Sequence, residues 1–157
     1  MSSLIRSYRA GDEVAFRALN EQWIRQYFEL EAKDEEVFAD PQKTIVERGG
    51  HILFAVVGGE TVGCCALLPM KDGGFEVAKM AVAPGHQGEG IGRQLLCATI
   101  EEARRMGTHR LYLETNHRLT PAIGLYESVG FRRVDPNEVS PYARSDVYME
   151  LKIESHP

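Results

Sequence analysis

The sequence lacks a hydrophobic run long enough to cross a membrane, and its first residues do not predict a secretion signal. Its longest uninterrupted apolar run is ILFAVV at 52–57, whereas a membrane helix needs about 20 mainly apolar residues. The first residues, MSSLIRSYRAGDE, do not have the basic segment and following apolar stretch of a signal peptide. We therefore expect a cytoplasmic protein without a membrane segment.

Cysteine is scarce, and its spacing does not suit a metal site. Cys64, Cys65 and Cys97 are an odd number, and no two of them have the CxxC spacing of a zinc site. Since side chains alternate along a strand, adjacent Cys64 and Cys65 would face opposite sides of a sheet. We expect three small core residues in a reducing compartment and no metal.

The chain also lacks an excess of basic residues. It has 18 Lys and Arg against 23 Asp and Glu, a net charge of −5. Proteins that bind nucleic acid usually present a basic face to the phosphates, so we expect no nucleic-acid partner. A cationic amine substrate is compatible with this charge, and so is solubility alone. At 157 residues the length fits one core, and we expect residues 1–157 to form a single domain.

Hydrophobic periodicity predicts the element order β-α-α-β-β-β-α-β-α-β-β. Gly11-Asp12 is expected to cap the first helix, and Pro41 to end the second. Two strand-like runs around Gly58-Gly59 predict a hairpin. Thr120-Pro121 is expected to open the last helix as cap and first-turn residue. This order predicts an α/β fold, a mixed sheet flanked by helices.

Four glycines lie within eight positions between a predicted strand and a predicted helix: Gly85, Gly88, Gly90 and Gly92. Glycine costs a helix about 1 kcal/mol relative to alanine, so the cluster needs a reason. A glycine-rich turn before a helix exposes backbone N–H groups and the positive end of the helix dipole, which suits a pyrophosphate. The turn lacks the Gly-Lys-Ser/Thr of a Walker loop and the context of a dinucleotide fingerprint. A packed turn without ligand is the alternative.

Three motifs, in order, resemble those of the GNAT superfamily of N-acetyltransferases. QGEGIG at 87–92 matches the signature Q/R-x-x-G-x-G/A, the strand EVAKMAVAP precedes it, and AIGLYESVGF at 122–131 is similar to A-x-x-L-Y-E-x-x-G-F. The resemblance implies the acyl-CoA N-acyltransferase fold, with a mostly antiparallel sheet splayed in the middle. It also implies direct transfer of an acetyl group from acetyl-CoA to a primary amine. A CoA-binding regulatory module without chemistry is the alternative function.

The resemblance assigns the cosubstrate acetyl-CoA to two backbone segments. Main-chain amides of the glycine turn would hold its pyrophosphate, namely those of Gln87, Gly88, Glu89, Gly90, Ile91, Gly92 and Arg93. The Arg93 side chain would add charge near a phosphate or face solvent. The pantetheine arm would bind the strand edge at Met80, Ala81 and Val82, where one amide could polarise the thioester carbonyl. Asn116 would bind the pantetheine or cap a turn, and Ala122 belongs to the same groove.

Two further residues are the catalytic candidates. Tyr126 lies at the family's general-acid position and would protonate the leaving thiolate; alternatively, its ring only packs on the cofactor. Glu76 is the candidate base, and strand alternation predicts that Glu76, Met80 and Val82 share one face. Burial on that face would raise the pKa of Glu76; the alternative is an exposed glutamate, with water or another group as base.

By the same resemblance, segments 23–41 and 135–146 form the acceptor pocket. The acidic residues at 29–36 would attract a cationic amine or form a solvated helix face. Arg144 would suit an acceptor that carries a carboxylate. We expect a small-molecule, amino-acid or peptide amine as substrate, and pairing of sheet edges would allow a homodimer.

Overall fold

The structure, a computed structural model, describes residues 3–136 and 138–154. Strand β1 (Leu4–Ser7) is followed by helices α1 (Glu13–Tyr27), α2 (Ala32–Ala39) and α3 (Pro41–Thr44) and a 3-10 turn (Val46–Arg48). Next come β2 (His51–Val57), β3 (Glu60–Pro69), β4 (Phe75–Val82), a second 3-10 turn (Pro84–His86) and α4 (Ile91–Arg105). The last elements are β5 (Arg110–Thr115), α5 (Thr120–Ser128), β6 (Arg132–Arg133) and β7 (Val147–Lys152).

The seven strands form one sheet in the order β1-β2-β3-β4-β5-β7-β6. Neighbouring strands are antiparallel except for β4 and β5, which are parallel. These two pair at Phe75 with Leu111 and at Glu76 with Tyr112, and they separate beyond that point. The mostly antiparallel sheet, splayed in the middle and flanked by helices, confirms the predicted fold class.

Each face of the sheet carries its own hydrophobic cluster. The first cluster includes buried leucines of α4 together with residues of β5 and β7, and the second includes phenylalanines of α1, α2 and β2. Cys65 lies in the first cluster and Cys64 in the second, so the prediction that they face opposite sides is confirmed. Cys97 is exposed, because it lies on the solvent side of α4. The prediction that it is a core residue was wrong.

Two helix starts differ from the predictions. Asp12 occupies the N-cap position of α1, but its carboxylate binds the Arg6 guanidinium at 2.7 and 3.0 Å and the Arg9 N–H instead of the first turn. Thr120 is already the first residue of α5, and Leu119 takes the cap position. Pro41 ends α2 as predicted, and it also opens α3.

Among the described residues, no helix has both the length and the apolarity needed to cross a bilayer.

A β-bulge interrupts β4 at Lys79. The register between β3 and β4 shifts between Cys64 and Ala66, so that Lys79 and Met80 lie opposite the single residue Cys65. Lys79 has a φ of 56°, in the left-handed region that residues other than glycine rarely adopt. Such strain persists only where the surrounding structure holds it in place.

The bulge reverses which side chains of β4 face the α4 side of the sheet. Val77 before the bulge and Met80 and Val82 after it all pack against the first cluster. Because side chains alternate along a strand, Glu76 points to the opposite face from Val77, and therefore from Met80 and Val82. The prediction that Glu76 shares a face with Met80 and Val82 was wrong. A single inserted residue reverses the alternation of side chains between the two faces for every residue beyond it.

Candidate active site

Two clefts open where β4 and β5 separate. The loop cleft has a volume of about 300 Å³ and is lined by the end of β4, the glycine turn and α5. The carboxylate cleft has a volume of about 100 Å³ and is lined by Glu76 and Glu114, among others. The clefts share four lining residues, namely Trp23, Met80, Leu119 and Tyr126. A group bound in one cleft therefore meets a group bound in the other beside Met80 and Tyr126.

Backbone conformation explains two of the glycines in the turn. Gly88 and Gly90 both have a φ of +82°, and a Cβ added at either would meet no atom within 4 Å. Glycine is needed there for its left-handed conformation and not because of crowding by the protein. The space beside the turn is open to a ligand.

The turn presents a row of unsatisfied backbone donors. Helix α4 begins after Gly90 without a side-chain cap. In the part of the chain that the structure describes, the N–H groups of positions 87–93 have no protein acceptor. Together with the positive end of the α4 dipole, they form a site for an anionic diphosphate. Of the predicted loop residues, Gln87, Gly88 and Gly92 also line the loop cleft.

Side chains in the turn have partners of their own. Gln87 donates to the Val82 carbonyl at 3.2 Å, and His86 Nδ1 lies 2.9 Å from Glu89 Oε1. Arg93 donates to Ser128 Oγ on α5 at 2.7 Å. The Arg93 guanidinium is thus anchored to α5, and only the backbone at this position faces the turn as a free donor.

The predicted pantetheine segment borders the loop cleft. Met80, Ala81 and Val82 line it from β4, and Ala122 lines it from α5. Beyond Glu76, β4 has no partner strand on its β5 side. An extended amide chain can add to such an open edge as a further strand would.

Tyr126 lies at the junction of the two clefts. Its ring packs edge-on against Phe131, with the ring centroids 6.1 Å apart. Its hydroxyl has no hydrogen-bond partner within residues 3–136 and 138–154. Burial and the nearby Cys65 thiol raise the pKa of Tyr126 above its ordinary value. The phenol is therefore protonated at neutral pH, as a general acid must be before it can act.

Glu76 lines the carboxylate cleft, and its carboxylate has no hydrogen-bond partner among the described residues. Burial, followed by repulsion from Glu114, raises the pKa of Glu76 to about 7, against a smaller opposing effect of Lys79. A carboxylate with a pKa near neutrality is suited to general base catalysis. Glu114 itself accepts hydrogen bonds from the Tyr112 and Ser140 hydroxyls.

A buried ionic network behind the carboxylate cleft was not predicted from the sequence. Asp34 is 0% exposed and Lys79 is 6% exposed, and Lys79 Nζ lies 2.8 Å from Asp34 Oδ1. Arg144 donates to both oxygens of Asp34, at 2.7 and 2.8 Å, and Lys79 also donates to Tyr142 Oη at 2.8 Å. Burial alone would raise the pKa of Asp34, but the hydrogen bonds from Arg144 and Lys79 outweigh it and hold the pKa at about 2.

Two features of the sequence belong to this network, but neither reveals it. Lys79 is the single charged residue among the apolar residues at the end of β4. Asp34 stands three residues after Glu31, and its carboxylate accepts the Glu31 N–H at 2.9 Å at the start of α2. Read within an acidic stretch, Asp34 looks like a surface residue, and only the fold shows it to be buried.

Asn116 and Arg144 are both engaged with the protein. Asn116 donates to the Arg144 carbonyl at 2.8 Å and accepts from the Arg118 N–H at 2.9 Å. These bonds fit the alternative in which Asn116 caps a turn; it lines the carboxylate cleft, and its contact with pantetheine stays a prediction. The Arg144 guanidinium is taken up by Asp34 and, at 3.3 Å, by Glu31. The geometry therefore does not support Arg144 as a ligand of an acceptor carboxylate.

Among the described residues there is no cluster of three or more His, Cys, Asp or Glu able to hold a metal ion.

Comparisons with known proteins identify the family of the chain. The sequence model of the family described as Acetyltransferase (GNAT) family matches residues 16–131. The N-acetyltransferase YsnE of Bacillus subtilis is 39% identical over 110 residues, which are 68% of this chain and 73% of that protein. Alignments with two other bacterial N-acetyltransferases cover 57% and 78% of their length.

Solved structures show the same fold. A GNAT-family acetyltransferase of Staphylococcus aureus superposes with a TM-score of 0.88 at 17% identity, covering 98% of this chain and 100% of that one. A Salmonella typhimurium structure with its cofactor acetyl-CoA superposes with a TM-score of 0.78 at 22% identity, covering 99% and 96%. The predictions of an enzyme and of acetyl-CoA as its cosubstrate are confirmed. The chain belongs to the GNAT family of acetyl-CoA-dependent N-acetyltransferases.

Proposed function

We propose that the loop cleft holds acetyl-CoA and that the carboxylate cleft holds the acceptor amine. The observation that carries this proposal is the pair of clefts meeting at Met80 and Tyr126. The free N–H groups of positions 87–93 would bind the pyrophosphate. The open edge of β4 at Met80, Ala81 and Val82 would bind the pantetheine arm.

Glu76 and Tyr126 then act in two of the proton transfers, the first from the nitrogen and the one to the sulfur. Glu76 accepts a proton from the bound ammonium, because its pKa near 7 leaves part of it ionised at neutral pH. The free amine attacks the thioester carbonyl and a C–N bond forms. The attacking nitrogen, now cationic, releases its second proton to solvent, and the C–S bond breaks. Main-chain N–H groups at the bulge of β4 stabilise the negative charge on the carbonyl oxygen. Tyr126 donates its proton to the departing sulfur and regains one from solvent.

The alternative, a CoA-binding module without chemistry, is not favoured. Such a module needs the glycine turn, but it has no use for a buried carboxylate and an unpartnered phenol where the clefts meet.

We also propose that residues 1–157 form one domain, that the protein is cytoplasmic, and that its acceptor is a small-molecule or peptide amine. Pairing of two copies at a sheet edge as a homodimer stays a prediction.

Release of free thiol from acetyl-CoA tests the proposal. The purified chain is incubated with acetyl-CoA and a broad panel of primary amines, and CoA binding is measured separately by calorimetry. We expect CoA binding and amine-dependent thiol release. Binding without release for any amine would favour the regulatory module, and the absence of CoA binding would contradict the assignment of the loop cleft.

A further inference from the structure

The charges that line the carboxylate cleft are unequally available to a bound acceptor. Four charged side chains line it, namely Glu76, Glu114, Lys79 and Arg144. Both cations point to the same fully buried carboxylate, Asp34, which accepts from Lys79 at 2.8 Å and from Arg144 at 2.7 and 2.8 Å. Neither cation is left over for a ligand.

The rest of the local charge is negative. Arg144 also lies 3.3 Å from Glu31, so Asp34 and Glu31 together balance Lys79 and Arg144. Glu114 and the ionised fraction of Glu76 are then uncompensated, and Glu76 has no hydrogen-bond partner in the part of the chain that the structure describes. The negative charge attracts a cationic amine. A carboxylate that enters the cleft is repelled and finds no cation free to pair with it.

We propose that Asp34 is a specificity-determining residue. By neutralising Lys79 and Arg144, it makes the carboxylate cleft select amines that carry no carboxylate next to the amino group. This class includes simple amines, amino-acid amides, peptide amino termini and lysine side chains, and it leaves out free α-amino acids. The inference rests on the proposed function, since it assigns the acceptor to this cleft.

Amino acids and their α-amides provide a matched test. Alanine and alaninamide have almost the same shape and differ in the charge beside the amine, and a panel of other amino acids is paired in the same way. The measured quantity is the ratio of kcat/KM for the amide to kcat/KM for the acid, from thiol release with acetyl-CoA. For the parent protein we expect the amide to be preferred by about tenfold or more, as for one unit charge several ångströms away at an effective dielectric constant of about 20. Because the amine of the amide also has the lower pKa, the change of the ratio between variants is the decisive quantity.

Variants that change the charge in opposite directions should move the ratio in opposite directions. Asp34→Asn leaves one positive charge at Lys79 and Arg144 without a balancing carboxylate and should lower the ratio by about tenfold, whereas Arg144→Gln and Lys79→Met each remove one cation and should raise it. Glu35→Gln is the control, because it makes the same charge change on α2 at an exposed residue paired with Arg17 at 3.0 Å. Loosening of the structure alone would not give shifts of opposite sign.

The outcomes separate the two proposals. Equal kcat/KM for acids and amides in the parent, or a ratio that all variants leave unchanged, would overturn the role of Asp34 alone. The absence of thiol release with every amine would overturn the proposed function and this inference with it. Circular dichroism checks that each variant folds; if Asp34→Asn does not, the ratios for Arg144→Gln and Lys79→Met decide.

Discussion

Lys79 Nζ lies 2.8 Å from Asp34 Oδ1, in a pair that is almost completely removed from solvent. The contact joins α2 to the bulge of β4, and the hydrogen bond from Lys79 to Tyr142 adds the segment between β6 and β7. The positive φ of Lys79 is held in place by these contacts. One ammonium group thus fixes three distant segments around the carboxylate cleft.

We expect this pair to make stability depend on pH in the acid range. The pKa of Asp34 is held at about 2 in the folded state, below its ordinary value of 3.8. Its contribution of about 2 kcal/mol is therefore fully present well above pH 4 and is lost as the pH falls toward 2, with roughly half lost by pH 3. Asp34→Asn should lower the free energy of unfolding by about 3 kcal/mol at pH 7. Urea unfolding at pH 7 and pH 3 measures the difference between the two proteins.

The gap between parent and Asp34→Asn should narrow at pH 3, because protonation makes the parent resemble the variant. Glu35→Gln, at an exposed position on the same helix, should cost about 0.5 kcal/mol or less at pH 7. A gap of equal size at both pH values would contradict an ionised Asp34 as the source of the stabilisation.

Tyr126→Phe should lower kcat and leave CoA affinity nearly unchanged. The substitution removes the proton donor and keeps the ring that packs on Phe131. Loss of a general acid typically lowers the rate by about 100-fold or more. Steady-state kinetics measure kcat, and calorimetry measures the Kd for CoA.

The control for Tyr126 is Tyr148→Phe, since the Tyr148 hydroxyl bonds the Ser145 carbonyl at 3.2 Å and lines neither cleft. It should keep kcat within about twofold of the parent. If Tyr126→Phe turned over as fast as the parent, its ring would have a packing role only.

Glu76 should give the pH profile of kcat/KM an ascending limb near neutrality. Because the base must be deprotonated and its pKa is about 7, kcat/KM should rise with pH through this region and then level off. An aliphatic amine with a pKa near 10.4 keeps its own ionisation separate from this limb. Glu76→Gln should lower the rate and remove the limb.

Glu114→Gln tests the cause of the raised pKa. Repulsion from Glu114 is the second cause, after burial, that raises the pKa of Glu76. Its removal should move the limb to lower pH while the limb itself persists. A limb near pH 7 that survives in Glu76→Gln would assign the base to another group.

The fold and the cofactor turn could be predicted because their signals are local. Periodicity gives the elements, and glycines at Gly88 and Gly90 mark backbone conformations that other residues avoid. The opposite faces of Cys64 and Cys65 follow from the two-residue period of a strand.

The bulge and the buried network could not be predicted in this way. A bulge adds one residue to a strand and leaves no mark in its composition. Unbroken alternation from Glu76 to Val82 therefore placed Glu76 on the wrong face of the sheet. The burial of Asp34 depends on Lys79 and Arg144, which lie 45 and 110 positions away along the chain. Pairings at such separations are set by the packing of the whole sheet.

Gly90→Val should weaken CoA binding by about tenfold or more, because a β-branched residue resists the left-handed φ of +82° found at this position. The backbone then relaxes, and the N–H groups of the turn no longer converge on one anion. Gly107→Val is the matched control: Gly107 has a φ of +80°, no atom lies within 4 Å of an added Cβ, and it follows the far end of α4. Both variants should lose about 1–2 kcal/mol of stability, as measured by urea unfolding, while only Gly90→Val raises the Kd for CoA. An equal rise in Kd for both variants would trace the effect to general destabilisation, and an unchanged Kd in Gly90→Val would place the pyrophosphate away from this turn.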